Sequence, residues 1–406
     1  QDKKYIIKYK QTVVCDLPIA SITTDVSVAR ESASRTINRA LDGIPTVSNY
    51  KELCLSMLQR LNSAQKKYVY RHFDQFVKNN GVMIPGEGDA CILAPIRGCD
   101  AGVAVTIDSN VYGNVDPYGS GAYAVAEAIR NVISVGATPI ALTDCLNYGN
   151  PENPSVFFDF TEGVRGIGDA ARQLSVTDDV IPIISGNVSL YNDSTDGEAV
   201  VPSPVICCIG QMDDATANHP MQLSIPNARI MMLGHRYNEF AATLVSEVLN
   251  ESFHTVPQVR FDDEKPMNQA MLAINQANAA SAVHDVSQGG CFQALVEMML
   301  GDRNWPFVGV DVHCPAMIDP FTLLFSENAG YLCEVSDEKL SRFKKICNQH
   351  GVYFYEIGQT TDAVELTCHY NDQLIVSLSI NEIMVAWNAK NLACAGTPIY
   401  NEALKE

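Results

Sequence analysis

The chain has 406 residues, too many for one ordinary hydrophobic core, and its 47% hydrophobic and 18% charged residues are proportions of a compact globular protein. A formal net charge of −19 argues against general nucleic-acid binding or an anionic membrane surface, yet leaves room for a nucleotide bridged through Mg2+. No apolar run approaches bilayer length, the Gln1-Asp2-Lys3-Lys4 start is not a secretory signal, and 13 scattered cysteines without a CxxC pair read as reduced thiols of a cytoplasmic protein.

The start without Met leads us to expect a processed chain or a piece of something longer. Residues 1–65 read as an N-terminal arm, with a strand over 13–18 and a lead-in helix over 52–61 marked by Leu53, Leu55, Met57, Leu58 and Leu61. A second unit, 66–212, opens with a glycine-punctuated turn at 82–89 and strands over 90–94 and 102–108. Asp116-Pro117 is a helix entry, and Val125, Ile129, Val132 and Ile133 give that helix its apolar face to about residue 135. Glu127 and Asn131, at i and i+4, fall on one polar stripe. A strand over 139–143, a helix over 155–174, and strands over 180–184 and 204–210 complete the unit, an alternation that predicts an α/β or α+β fold.

An acidic linker from Asp213 to Pro226 leads into a third unit, 213–406. There the pattern predicts a strand over 230–234, helices over 239–249 and 265–280, and a turn at His284-Asp-Val-Ser-Gln-Gly-Gly290 followed by a helix to Leu300. A strand over 330–335, a helix to His350, and further strands with a short helix over 380–387 follow.

Chemistry concentrates where strands give way to polar, glycine-bearing segments. Ile184-Ser-Gly-Asn-Val-Ser-Leu-Tyr-Asn192 follows the apolar run Val180, Ile181, Ile183, Ile184, which reads as a short buried strand. Its polar part fits an ordinary strand-to-turn transition. It fits also a turn where Gly186 lets backbone N–H groups approach a phosphate and Asn187 and Ser189 hold an oxygen or a hydrated cation. Gly88-Asp89, Asp116 with Glu127 and Asn131, Asp144 to Asn147, and His284 to Gly290 are helix caps and turn residues on one reading, and an oxygen-rich Mg2+ and phosphate site on the other. Walker, GxSxG and HExxH motifs are absent. His72, His235, His254, His313, His350 and His369 lie in no motif and read as surface or satisfied core residues, while His284 reads as positioning its turn. Cys145 has no neighbouring histidine or cation in sequence to activate it.

Four segments in this order and spacing, Asp116-Pro-Tyr with Val125-Ala-Glu-Ala-Ile-Arg-Asn131, Leu142-Thr-Asp-Cys-Leu-Asn-Tyr-Gly-Asn-Pro-Glu-Asn-Pro154, Ser185-Gly-Asn-Val-Ser-Leu-Tyr-Asn192 and His284 to Gly290, resemble the synthetase components of the phosphoribosylformylglycinamidine synthase family. That family belongs to the aminoimidazole-ribonucleotide-synthetase superfamily, and the similarity runs from about residue 11. It implies a barrel-forming N-terminal module and a C-terminal α/β module, in a tandem of two homologous halves. This chain resembles the second half. The histidine-bearing catalytic segment of the first half has no counterpart here, so no catalytic residue is expected in this chain.

The resemblance further implies ATP and Mg2+ as cofactors, with Asp144 and Gly186 contacting ATP, Asn187 binding Mg2+ and Ser189 touching formylglycinamide ribonucleotide. An auxiliary nucleotide site would take its Mg2+ ligands from Asp89, Glu127, Asn131 and Asp285. The sequence departs at Gln288, where the family commonly has Asp. Implied partners are a first-half polypeptide or a second copy of the chain, a glutaminase that delivers ammonia, and small accessory subunits. The implied reaction is ATP-dependent amidation in purine biosynthesis. A self-sufficient homodimeric relative and a nucleotide-holding half without turnover are the alternatives.

Overall fold

The structure is a computed structural model and describes residues 3–23, 29–301 and 308–394. The predicted third unit's final stretch, 395–406, lies outside the described residues. The chain opens with an exposed hairpin, β1 (Lys4–Tyr9) and β2 (Thr12–Pro18), followed by α1 (Ile19–Thr23), α2 (Tyr50–Leu58) and α3 (Lys67–Tyr70). The first large unit comprises β3 (Gly81–Met83), β4 (Cys91–Leu93), β5 (Gly102–Ser109), α4 (Pro117–Ser134), β6 (Thr138–Asn147), α5 (Pro154–Gln173), β7 (Ile183–Ser189) and β8 (Ser203–Met212). The second comprises β9 (Arg229–Leu233), α6 (Leu244–Leu249), α7 (Phe261–Gln276), β10 (Ala282–Asp285), α8 (Gly290–Leu300), β11 (Gly309–Cys314) and α9 (Pro320–Phe325). It ends with β12 (Tyr331–Val335), α10 (Asp337–Gln349), β13 (Phe354–Thr361), β14 (Glu365–Tyr370), β15 (Gln373–Ser379) and α11 (Ile380–Cys394).

Two mixed sheets organise the molecule. The first is six-stranded in the order β3-β4-β5-β8-β6-β7, and the second is seven-stranded in the order β10-β12-β9-β13-β11-β14-β15. Neither closes into a barrel; the barrel implied by the resemblance would need a second N-terminal module.

Helix α4 joins the two sheets. It starts where Asp116 caps Gly119 N–H at 2.9 Å with Pro117 in the first turn, as the sequence predicts. All its residues except Tyr118 and Glu127 are buried, because one side packs on β5 and β8 and the other on β10 and α7. Its contact with α5 is a backbone approach: a Cβ on Gly121 would lie 2.1 Å from the Gly163 carbonyl oxygen. The apolar core under α4 continues into Met231, Leu233, Met271 and Val283, on one face of the second sheet. The opposite face of that sheet carries Ile230, Met232, Val310 and Val312 against α8 and α9. Leu53, Cys54, Met57 and Leu58 of α2 enter this second core, so the lead-in helix packs with the C-terminal unit.

Several expectations change. The helix expected over 239–249 is helical only at Leu244–Leu249, and the helix expected from 265 begins at Phe261. The sequence reading missed β1 and β11. The largest correction concerns residues 183–189. The polar part was expected as a turn after a buried strand, but Ile183–Ser189 is itself strand, and it lies on the sheet edge. Ile184 is 60% and Val188 56% exposed. The apolar run looks like core because four of its residues are aliphatic, yet β7 is an edge strand, and nothing among the described residues covers its outer side.

Candidate functional site

Strand pairing places two of the predicted residues together. β6 and β7 are parallel, with Asp144 opposite Gly186, Cys145 opposite Asn187 and Asn147 opposite Ser189. The Asp144 carboxylate lies directly over Gly186, so that a Cβ there would come within 2.4 Å of Asp144 Oδ1. Partial burial raises the pKa of Asp144. Alternation along a strand sends the next residue to the other face. Asn187 accordingly points its amide at Cys145 Sγ, 3.3 Å away, and Ser189 Oγ reaches Asn192 Oδ1 at 3.3 Å. Gly186 with Asp144, and Asn187 with Ser189, therefore occupy opposite faces of one exposed edge.

The row of Asp144 and Gly186 runs inward to a second cluster. Asp144 and Asp108 both pair with Ile206 of β8, so they share a face two strands apart, roughly 10 Å by ordinary strand spacing. Around Asp108 the fold gathers Asp89 from the turn before β4, Glu127, Arg130 and Asn131 from α4, and His284 and Asp285 from the end of β10. Asn131 Nδ2 donates to Asp108 Oδ1 at 2.8 Å, and Asp285 N–H donates to Asp89 Oδ2 at 2.8 Å. His284 is held between Asp89 Oδ1, 2.5 Å from Nδ1, and Glu297 Oε2, 3.0 Å from Nε2. Burial opposes a charge on this imidazole, but Asp89 and Glu297 outweigh it and hold its pKa well above the usual value.

The carboxylates crowd one another. Burial first, and then the neighbouring charge of Asp285, pushes Asp108 up to about 7. Burial likewise raises Asp285 to about 6 against the pull of Arg130, and Glu127 is raised by burial and then by Asp108 and Asp285. Arg130, with no exposed surface, approaches Glu264 Oε2 at 3.3 Å and Asp285 Oδ2 at 3.5 Å. One guanidinium and the His284 imidazolium thus face several acids. Asp285 Oδ2 and Asn131 Oδ1 are buried without a hydrogen-bond partner. An excess of oxygen donors with unfilled acceptors is the chemistry of a hard divalent cation site, so these residues fit Mg2+.

Of the sequence-predicted ligands, Asp89, Glu127, Asn131 and Asp285 converge here, and Asn187 stands apart on the outer edge strand. Glu127 and Asn131, expected on a polar stripe, lie against this interior cluster instead. Gln288 is exposed and lines a surface hollow with Thr243 and Asn250, so its departure from the family pattern takes no oxygen from the cluster. Sequence reasoning missed Asp108, Arg130 and Glu264. Asp108 carried a weak signal as an acid ending a strand, whereas Glu264 lies in the charged run Asp262-Asp263-Glu264-Lys265, which looks solvated until α7 packs against α4.

A second buried acid braces the Gly289 turn. Glu327 Oε1 accepts N–H bonds from Gly289 and Leu244, each at 2.8 Å, and Oε2 accepts the Tyr112 hydroxyl at 2.5 Å. Burial raises its pKa to about 7, with those three donors working in the opposite direction.

The sequence models of the AIR synthase related protein match in both parts, the N-terminal domain over residues 87–212 and the C-terminal domain over 226–371. The chain belongs to the AIR synthase related family. Among curated proteins it is similar to phosphoribosylformylglycinamidine synthase subunit PurL of Methanothrix thermoacetophila, 36% identical over 393 residues, covering 95% of this chain and 50% of that protein. The subunit of the same name from Deinococcus radiodurans is 32% identical over 400 residues, covering 95% and 52%. The chain spans about half the length of these curated relatives. Among solved structures, Thermotoga maritima PurL complexed with FGAR superposes with a TM-score of 0.65 at 18% identity, over 82% of this chain and 53% of that one. The ADP complex of the same protein gives a TM-score of 0.60 at 18% identity, over 82% and 51%. The family's fold is the one seen here, two α/β modules in sequence.

Proposed function

We propose that this chain is the second half of a phosphoribosylformylglycinamidine synthase, which converts formylglycinamide ribonucleotide to the amidine with ATP, Mg2+ and ammonia released from glutamine. The single observation that carries this reading is the Asp144–Gly186 pair on an exposed sheet edge, an acid beside a bare glycine backbone at a position that a nucleotide and a second module can reach. Support comes from relatives that carry the synthase name and from solved relatives bound to FGAR, ADP, ATP and AMPPCP.

In this reading Asp144 and Gly186 contact ATP, and Asn187 and Ser189 serve the metal and the ribonucleotide, the ligands meeting around the open β7 edge between the two faces. Asp89, Glu127, Asn131 and Asp285, with Asp108 added, would hold Mg2+ of an auxiliary nucleotide. Mg2+ supplies charge neutralisation on the phosphates when bound. The chain's own part is to orient: the bare Gly186 backbone makes room for the Asp144 carboxylate beside the nucleotide, and oriented backbone and amide dipoles hold the transferring group in line. The substrate's amide oxygen takes the phosphoryl group of ATP, and ammonia then adds at the amide carbon and expels that oxygen as inorganic phosphate. The catalytic base belongs to a first-half partner.

The partner face is the uncovered side of the six-stranded sheet and the β7 edge, where Ile107 is 68% and Ile184 60% exposed. A first-half polypeptide with its own N-terminal module fits there, and a glutaminase and small accessory subunits complete the assembly, in keeping with a solved Thermotoga assembly named PurLQS. No described helix is long and apolar enough to cross a membrane; we place the protein in the cytoplasm. The division into 1–65, 66–212 and 213–406 belongs to the same proposal.

The test supplies ATP, Mg2+, ammonium and formylglycinamide ribonucleotide to the chain alone and to the chain assembled with a first-half polypeptide. Amidine should form only in the assembly. Steady turnover by the chain alone would instead establish a self-sufficient homodimer, and an inactive assembly that still binds ADP and Mg2+ would leave a nucleotide-holding half.

A further inference from the structure

On the second sheet, four strands from β10 and so roughly 19 Å from the acidic cluster by strand spacing, two histidines and an aspartate meet on one face. Asp311 and His313 stand at i and i+2 on β11, and His369 lies directly opposite His313 on the parallel strand β14. Strand alternation puts all three on the same side. Val310, Val312 and Cys314, the alternate residues of β11, are buried in the core beneath. Asp311 Oδ2 is 3.0 Å from His313 Nε2, and Asp311 Oδ1 is 3.0 Å from His369 Nδ1. The two imidazoles stack with centroids 5.2 Å apart and planes 15° off parallel.

We propose that Asp311, His313 and His369 bind a divalent transition metal ion of the zinc type, clamping β11 to β14. The donor set decides the class: two imidazoles and one carboxylate favour zinc, cobalt or nickel, whereas magnesium and calcium take oxygen. The spacing agrees. The three donor atoms lie within 4.8 Å of one another. A tetrahedral ion with bonds of about 2.0 Å has donor–donor edges of about 3.3 Å; each imidazole nitrogen lies 3.0 Å from its own Asp311 oxygen, Oδ2 for His313 and Oδ1 for His369, so both carboxylate oxygens face the metal position. The Thr367 hydroxyl donates to Asp311 Oδ1 at 2.6 Å and fixes the carboxylate from behind, the role that supporting hydrogen bonds play at protein metal sites. His313 is 60% exposed, which gives an ion access from solvent and leaves water to complete its coordination.

The chain is titrated with Zn2+ by calorimetry under excess Mg2+, which occupies the acidic cluster, and with Co2+ by visible absorption, which distinguishes imidazole from thiolate ligands. The parent should take up one Zn2+ that Mg2+ does not displace, with a Co2+ spectrum free of sulfur-to-metal charge transfer, and its unfolding temperature should rise with Zn2+. His313→Ala and His369→Ala should each weaken that binding at least tenfold and abolish the thermal shift, with far-ultraviolet circular dichroism unchanged. Absence of Zn2+ uptake by the parent, a thiolate spectrum, or binding that survives undiminished in either variant would overturn the assignment.

Discussion

Arg130 offers the sharpest test of the buried cluster. Replacing it with Met keeps most of the side-chain volume and removes the guanidinium that lies 3.3 Å from Glu264, 3.5 Å from Asp285 and 5.4 Å over the Tyr123 ring. Removing one partner of a buried ion pair costs about 3–5 kcal/mol, because the remaining charge is left uncompensated. Arg130 Nε and Nη2 have no hydrogen-bond partner, so the attraction being lost is largely charge rather than geometry, and the lower figure, about 3 kcal/mol, applies. At about 2.1 cal/mol/K of unfolding entropy per residue, that loss lowers the melting temperature of a chain this long by roughly 4 °C. Calorimetric melting of parent and Arg130→Met at neutral pH, in chelator and then in saturating Mg2+, reads both parts of the argument. The variant should melt lower in chelator, and Mg2+ should raise it by more than it raises the parent, since a dication supplies the missing positive charge. Melting within about 1 °C of the parent in chelator would refute the energetics, and an equal Mg2+ shift in both proteins would remove the cluster as a cation site.

Gly186→Ala places a methyl group 2.4 Å from Asp144 Oδ1. Because Asp144 can swing aside, unfolding should change by less than about 1 kcal/mol, while equilibrium binding of ATP to the proposed assembly with a first-half polypeptide should weaken about tenfold or more. Gly121→Ala meets the Gly163 carbonyl at 2.1 Å, where neither backbone can yield, so urea denaturation should show a loss of about 1–3 kcal/mol. Glu327 has a folded pKa of about 7 against 4.5 for the free side chain. Its protonated form is favoured by folding, so its contribution to stability is full below pH 4.5 and is lost as pH rises through about 7. Glu327→Gln preserves the neutral shape, and its stability profile between pH 5 and 7.5 should be flatter than the parent's by up to about 1.4 kcal/mol per pH unit; parallel profiles would count against this burial effect.

The sequence by itself determined the local pieces. Asp116-Pro117 fixed the start of α4, and the apolar positions Val125, Ile129, Val132 and Ile133 fixed the face it buries, because capping and 3.6-residue periodicity are written in neighbouring residues. It also made Asp89, Glu127, Asn131, Asp144, Gly186 and Asp285 candidates, since acids, amides and glycines beside strand ends are visible one segment at a time. Tertiary structure alone decided which of them meet. Arg130 and Glu264 are 134 positions apart, and Asp108 becomes part of the cluster only when β5, α4 and β10 close around it. His313 and His369 lie 56 positions apart in chain number and read as isolated until β11 and β14 align in parallel register. The apolar run leading into Ile184 deceived the sequence reading for the same reason: hydrophobic spacing marks a strand, but its place at the edge of the sheet, which leaves Ile184 exposed, is set by strand order alone.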